Sequence, residues 1–171
     1  MAPCTACSVC NLNFHSVVPQ IHHRATRPLE RVYLDFFIPP HEAADASAGV
    51  VLAVLDEATR YLWMHVAPTR VAAVTWFQQL IAKMERQADK KLVTVITDNA
   101  PEFISGTFQQ FLGGLGIEHL YSVPHETTHN GPVERVFRTL VSMTRQLLAD
   151  GALPVRLWPH AARHAAYLYN R

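Results

Sequence analysis

The stretch Val32-Tyr33-Leu34-Asp35-Phe36-Phe37-Ile38 is an apolar and aromatic run that contains one carboxylate. Such a run, stopped by Pro39-Pro40, predicts a buried β-strand. An ionised carboxylate inside a buried strand loses its hydration, which costs several kcal/mol unless the group is paired or coordinated. Asp35 is therefore either an edge-strand residue that faces water or part of a site, and the strand alone leaves both interpretations open.

The segments that follow predict an α/β domain. Two further apolar runs, at 50–55 and 61–66, are separated by a segment short enough for a hairpin. Strands then alternate with segments of helical periodicity, and this order predicts a mixed five-stranded sheet flanked by helices. The later predicted elements are a helix capped by Thr69, a strand at 92–97, a helix at 103–115, a strand at 117–121, a helix starting at Asn130-Gly131-Pro132 and a helix after Pro154.

Bulk composition limits the classes of protein that the chain can represent. The 171 residues are 49% hydrophobic and 17% charged, which is typical of one globular domain. No apolar run reaches about 18 residues, so we expect no membrane partner. The net charge of +1 neither favours nor excludes nucleic acid, and a DNA partner would have to be met by local basic patches.

Two more carboxylates stand at positions that attract ligands. Asp98 follows the fourth predicted strand, at the end where α/β sheets place their ligands, although alone it could be a turn former or a helix cap. Glu134 lies in the first turn of a helix, where the helix dipole favours any acidic side chain. If the first and fourth strands are adjacent, Asp35 and Asp98 face each other and the third helix brings Glu134 to the same rim.

Three carboxylates in one place require cations. Two carboxylates ~5 Å apart repel each other by roughly 3 kcal/mol at an effective dielectric constant of ~20. Oxygen ligands favour Mg²⁺ or Mn²⁺. Two such ions on Asp35, Asp98 and Glu134 suit phosphoryl transfer, in which one ion generates a nucleophile from water or a 3′-hydroxyl and the other stabilises the leaving oxygen.

The spacing of these residues resembles a known signature. Thirty-five residues separate Asp98 from Glu134, as in the Asp, Asp, 35-residue spacer, Glu pattern of retroviral and retrotransposon integrases. The neighbouring segments resemble those of copia-type LTR retrotransposon integrases. These segments are Leu55–Tyr61, Thr97–Phe103, Asn130–Arg135, Leu153–Arg171 and the Cys4-x-x-Cys7 pair. The resemblance runs from Cys4 to Arg171 and implies a ribonuclease-H-like fold, divalent metal and DNA strand transfer.

The chain also departs from that pattern. Ala100-Pro101 stand where the family usually has Gly, and Ala100 would be strained if the loop needs a positive φ there. The segment 125–129 replaces a stretch that is usually richer in Pro and Gln. No His pair precedes Cys4 and the chain stops at Arg171, so we expect a degenerate element copy, a domesticated core or a truncated gene product.

The first part of the chain differs from the rest. Residues 1–31 are rich in Cys and then in His and Arg, without periodicity, and resemble a partial zinc module with a basic linker. The catalytic core is expected at 32–171. A Cys-x-x-Cys pair is a good ligand pair for zinc, so one interpretation is a Zn²⁺ site and the other is a thiol-bearing tail. The zinc ligands in the first interpretation are Cys4, Cys7 and Cys10 with His15.

Basic side chains provide candidate DNA contacts. They are Arg135 and Arg138 on the third helix, Asn130 just before it, and Lys83, Lys90 and Lys91 near the end of the first helix. Arginine grips phosphates with two parallel hydrogen bonds, and such contacts are salt-sensitive and independent of base sequence. The alternative is a solvated helix face or, for Arg138, an ion pair with Glu134 one turn away.

The resemblance implies a metal-dependent polynucleotidyl transferase core that acts in the DNA integration of a retrotransposon. It implies DNA partners (the element ends and the target), a homo-oligomer and a nuclear location. A second hypothesis is a catalytically inactive relic that binds nucleic acid or a protein partner through the same fold. A third is a ribonuclease or nuclease of the same fold, which the Asn130–Arg135 segment disfavours.

Overall fold

A computed structural model of the chain describes residues 24–38, 48–121 and 131–171. The elements are β1 Arg31–Phe37, β2 Val50–Asp56, β3 Leu62–Ala67, α1 Arg70–Ala88, β4 Thr94–Thr97, α2 Pro101–Ile104, α3 Gly106–Gly114, β5 Glu118–Tyr121, α4 Gly131–Asp150, a 3₁₀ turn Val155–Leu157 and α5 Trp158–Tyr169. They form one five-stranded sheet in the order β3-β2-β1-β4-β5. The strands β1, β2 and β3 pair antiparallel, whereas β4 pairs parallel to both β1 and β5.

The predicted order of strands and helices is confirmed, with one difference in the segment 103–115. That segment was expected to be a single helix, but the chain makes two, α2 and α3. Ser105 lies between them with an extended ψ of 138°, and its hydroxyl accepts a hydrogen bond from the N–H of Phe108 at 3.3 Å. Ser105 therefore ends the short helix and caps the next, because a capping serine satisfies a free N–H that a continuous helix would not have.

The alternation of side chains along β1 divides the core into two layers. Val32 and Leu34 belong to the layer that α1, α2 and α3 cover. Tyr33 and the partly buried Phe37 belong to the layer that α4 and α5 cover. Because successive side chains of a strand point to opposite faces, Asp35 shares the face of Tyr33 and Phe37. The carboxylate of β1 is thus directed toward the side of the sheet on which α4 packs.

The segment before β1 packs on the β2–β3 hairpin. Residues 25–31, expected to belong to the linker, include the buried Ala25 and Leu29. The carboxylate of Asp56, which is 1% exposed, accepts a hydrogen bond from the N–H of Leu29 at 2.9 Å. Arg31 forms an ion pair of 2.9 Å with Glu57. These contacts join residues that lie 26 to 27 positions apart, so local periodicity could not predict them.

The two longest helices are α1, with 19 residues, and α4, with 20 residues. Each buries one face on the sheet and presents charged residues on the other. Within the described ranges, we find no helix with both the length and the apolar character needed to cross a membrane.

Candidate active site

Asp35 and Asp98 come from two adjacent parallel strands. The register between β1 and β4 pairs Val32 with Val95 and Tyr33 with Ile96. Continuing that register by two residues sets Asp35 opposite Asp98. Neighbouring strands lie about 4.8 Å apart, and side chains opposite each other in parallel strands point to the same face. The sequence left the adjacency of the first and fourth strands as a condition; the structure meets that condition, and the strand pairing sets these two carboxylates opposite each other.

Helix α4 supplies the third carboxylate. The ring of Phe137 packs against that of Phe37 with 5.6 Å between the ring centroids, which holds the first turns of α4 against the end of β1. Glu134 lies one turn before Phe137, toward the start of the helix. The packing of α4 therefore directs Glu134 to the face of the sheet that carries Asp35.

The charge state of Asp35 reflects this arrangement. The pKa of the Asp35 carboxyl is raised from its usual 3.8 to about 7. Burial is the largest cause, and the negative charges of Asp98 and Glu134 contribute to the same rise. The N–H of Phe36, which donates to Asp35 Oδ1 at 2.8 Å, and the cation of Arg70 act in the opposite direction. Asp35 is thus held in a half-buried position where its ionised form is disfavoured until a cation offsets the charge.

The loop after β4 fixes the backbone around Asp98. Its Oδ1 accepts a hydrogen bond from the N–H of Ala100 at 3.1 Å, and its carbonyl accepts one from the hydroxyl of Thr97 at 2.8 Å. Ala100 has φ −60° and ψ 140°, an extended conformation that any residue adopts. The strain expected if this position had a positive φ is absent, so Ala100 fits the loop without glycine.

Two ring contacts support this loop from the other face of the sheet. The ring of Phe103, which is fully buried, stacks on Phe36 with 4.7 Å between centroids and 8° between planes. His119 Nε2 lies 3.0 Å from the hydroxyl of Thr97. Since that hydroxyl donates to the backbone carbonyl of Asp98, it accepts from His119 Nε2. Burial lowers the pKa of the His119 ring. Asp98 is thereby positioned through Thr97.

The charges of Asp98 and Glu134 act on Asp35, but the three side chains are not gathered into one ligand cluster among the described residues. Glu134 is exposed, and the described residues contain no group of three or more His, Cys, Asp or Glu side chains arranged to hold a metal ion. The ion pairs of the described residues do not include one between Glu134 and Arg138. Asp35 and Asp98 fit a hard divalent cation by donor chemistry, since both offer carboxylate oxygens on adjacent strands.

The predicted DNA contacts fall on two separate surfaces. Arg135 and Arg138 are exposed on α4 beside Glu134. Lys83, Lys90 and Lys91 lie at the far end of α1, before β4 begins, whereas Asp98 follows the end of β4. That four-residue strand, at about 3.3 Å per residue, separates the lysines from the carboxylates by roughly 13 Å or more. Lys91 also forms an ion pair of 2.6 Å with Glu85. Asn130, Cys4, Cys7, Cys10 and His15 lie outside the described residues.

Two residues that the sequence interpretation did not select lie beside the site. Arg70, the first residue of α1, has its guanidinium 5.3 Å from the ring centroid of Phe36. Its Nη1 lies 3.7 Å from Glu102 Oε2. A signal was present, because a cation in the first turn of a helix has the wrong sign for the helix dipole. In the structure this charge is offset by contacts with Phe36 and Glu102.

The amino-acid sequence matches a known protein family. Residues 25–127 match the family model described as integrase core domain, which is more than half of the chain. This chain belongs to the integrase core domain family. The sheet with flanking helices is accordingly the ribonuclease-H-like fold that the sequence predicted.

The relatives of this integrase core are retrotransposon polyproteins. It is 33% identical over 143 residues to the retrovirus-related Pol polyprotein from transposon TNT 1-94 of Nicotiana tabacum. That match covers 84% of this chain and 11% of the relative. It is 33% identical over 168 residues to the Pol polyprotein from transposon RE1 of Arabidopsis thaliana, which covers 97% of the chain and 11% of the relative. The integrase core therefore spans about a tenth of the length of these relatives.

A solved structure shares the fold. The integrase core aligns with a chain in the cryo-electron microscopy structure of a simian T-cell lymphotropic virus intasome in complex with PP2A regulatory subunit B56 gamma. The TM-score is 0.66 at 18% sequence identity, and the alignment covers 84% of this chain and 49% of that one. At this identity the likeness supports the fold alone.

Proposed function

We propose that this integrase core is a metal-dependent polynucleotidyl transferase that acts in the DNA integration of a retrotransposon. The observation that carries the proposal is the pairing of β1 with β4, which sets Asp35 opposite Asp98. In that position burial and the charges of Asp98 and Glu134 raise the pKa of the Asp35 carboxyl to about 7. Strongly perturbed carboxylates of this kind are typical of functional sites. Keeping three acidic groups within electrostatic reach of one another is unfavourable for an uncoordinated protein, and a divalent cation removes that penalty.

The residues of the chain would share the work unequally. Asp35 on β1 and Asp98 after β4 belong to the hydrogen-bonded frame of the sheet, and we assign them to hold Mg²⁺ or Mn²⁺ together. Glu134, exposed at the start of α4, would complete the ligand set from the helix that covers this face of the sheet. When bound, two such ions generate the attacking oxygen and stabilise the leaving oxygen. The hydrogen-bonded frame keeps the carboxylate oxygens of Asp35 and Asp98 in place without reorganisation.

DNA is the partner that this chemistry requires. We assign phosphate contacts to Arg135 and Arg138, since both are exposed on the helix that carries Glu134, and to Asn130 in the same motif. Lys83, Lys90 and Lys91 form a separate basic surface that would meet a more distant part of the DNA. Action on two element ends and a target further implies a homo-oligomer and access to nuclear DNA.

Thermal unfolding in the presence of Mn²⁺ tests the metal site. We expect saturating Mn²⁺ or Mg²⁺ to raise the Tm of the chain by several degrees, because a ligand that binds only the folded state stabilises it. Asp98→Asn should abolish this shift and Glu134→Gln should reduce it. Asp89→Asn is the matched control, since Asp89 is an exposed residue at the C-terminal end of α1. A Tm that saturating metal leaves unchanged would contradict the metal site.

Strand transfer, or its reversal on a branched DNA substrate, tests the activity. We expect joining or release of a labelled strand only when Mg²⁺ or Mn²⁺ is added, and no product with Asp98→Asn.

DNA binding in EDTA should weaken for Arg135→Ala and Arg138→Ala, with the slope of log affinity against log salt reduced by about one for each. Equal losses for the distant Lys83→Ala would remove the special assignment of α4.

One observation favours a second candidate, a catalytically inactive core that binds nucleic acid or a protein partner. Glu134 is exposed, and among the described residues it is not drawn into a ligand cluster with Asp35 and Asp98. An inactive core would bind DNA in EDTA as above but show neither the Mn²⁺ shift in Tm nor strand transfer. The two candidates therefore differ in both measurements.

A further inference from the structure

Arg70, the first residue of α1, lies beside the end of β1 on the side of the sheet that α1 covers. Its guanidinium lies over the ring of Phe36, the residue that follows Asp35, at 5.3 Å from the ring centroid. Arg70 therefore lies beside the β1 residue that follows Asp35, and its side chain is held by an aromatic ring.

The partners of Arg70 within the protein are weak ones. Its distance of 3.7 Å to Glu102 is that of an ion pair without a hydrogen bond. Glu102 Oε2 is buried and accepts no hydrogen bond from any described residue. Arg70 in turn occupies the first position of α1, where a positive charge is unfavourable for the helix dipole. The contacts made by the described residues leave both groups of this pair incompletely satisfied.

We propose that Arg70 binds a phosphate of the DNA backbone beside the scissile bond, and that Glu102 holds the guanidinium until DNA displaces it. This inference rests on the proposed function and deepens it by naming the substrate group. A guanidinium presents five N–H donors in a planar fork that matches a phosphate in a bidentate manner. It also offsets the repulsion between the negatively charged DNA backbone and the carboxylates at Asp35.

The competing explanation is a structural ion pair that joins α1 to α2. That explanation predicts that loss of either partner has the same effect, because both variants remove one bridge. The exchange explanation predicts opposite effects on DNA affinity, because Arg70 binds the phosphate and Glu102 competes with it. The sign of the effect of each variant therefore separates the two.

The experiment measures binding of a short fluorescent branched DNA duplex by anisotropy in EDTA, across a range of salt concentrations. We expect Arg70→Gln to weaken binding about tenfold and to reduce the salt slope by about one. Arg70→Lys, which keeps a point charge but loses the fork, should retain most of the slope. Glu102→Gln should tighten binding two- to fivefold. Arg163→Gln is the matched control, since it removes the same charge from an exposed arginine of α5 that is assigned to no DNA contact.

The results that overturn the proposal are equally specific. A loss for Arg70→Gln no larger than for Arg163→Gln would exclude a phosphate contact. Unchanged or weaker binding by Glu102→Gln would exclude the exchange and leave the structural ion pair. If Arg70→Gln does not fold, Arg70→Lys and Glu102→Gln decide the question by the same signs. The Mn²⁺ shift in Tm, measured separately, should persist in Arg70→Gln, so failure of the metal site and failure of this contact remain distinguishable.

Discussion

Replacing Asp35 by Asn should stabilise the metal-free protein at neutral and alkaline pH. The pKa of the Asp35 carboxyl is about 7 in the folded protein against 3.8 for an ordinary aspartate, a difference of about three units. At about 1.4 kcal/mol per unit, the ionised carboxylate reduces the free energy of unfolding by at most about 4 kcal/mol. Asn removes this charge and can still accept the hydrogen bond from the N–H of Phe36.

The pH dependence of this effect has a definite sign. Because the folded protein binds the Asp35 proton more tightly than the unfolded chain does, stability associated with that proton is lost as the pH rises from about 4 to about 7. The advantage of Asp35→Asn should therefore be absent near pH 4, grow through this window and level off above pH 7. Divalent metal should reverse the order, because the wild-type chain gains a ligand and the variant does not.

Urea denaturation in EDTA between pH 4 and pH 8.5 provides the assay, repeated with saturating Mn²⁺ at pH 8. Asp89→Asn again serves as the control for removal of an exposed carboxylate and should show no such pH-dependent gain. If Asp35→Asn is no more stable than wild type at pH 8 in EDTA, or if its advantage is the same at pH 4, the electrostatic reasoning is wrong.

Three further outcomes are expected from the packing. Asp56→Asn should cost about 2–4 kcal/mol in urea denaturation without changing the Mn²⁺ response, because Asp56 is buried and accepts hydrogen bonds from Leu29 and twice from Thr59; a neutral substitution would show that this network contributes little. Phe103→Ala should cost about 3–5 kcal/mol and weaken Mn²⁺ binding, because the ring stacks on β1 next to Asp35; normal metal affinity in a folded variant would separate the stack from the site. Ala100→Gly should destabilise the chain by about 0.5–1 kcal/mol without raising activity, since φ at Ala100 is −60°; a more stable variant would reveal strain at this position.

Much of the fold followed from local patterns. The strands and amphipathic helices could be predicted because their periodicities of two and 3.6 residues are written in consecutive positions. The one element that was predicted wrongly, the helix at 103–115, depends on the extended backbone of Ser105, and serine is compatible with both a helix interior and a cap. The candidate carboxylates were identified from their spacing and neighbouring segments, not from any one residue.

Other features depend on contacts between distant parts of the chain. The position of Arg70 between Phe36 and Glu102 arises only when α1 and α2 pack against the end of β1, and each partner lies more than 30 residues away. The hydrogen bond from Leu29, in the segment before β1, to Asp56 likewise joins residues that lie 27 positions apart. No periodicity encodes such contacts, because they follow from the order of the strands in the sheet.

For Asp35 itself, the sequence determined that a carboxylate lies inside an apolar strand and that two further acidic residues accompany it at a family spacing. Only the packing of the folded chain places β1 beside β4 and sets Asp35 opposite Asp98. Burial there, together with the nearby negative charges, raises the pKa of the Asp35 carboxyl to about 7. The physical reason is that burial and charge proximity are properties of three-dimensional packing, whereas the identity and spacing of side chains are properties of the chain.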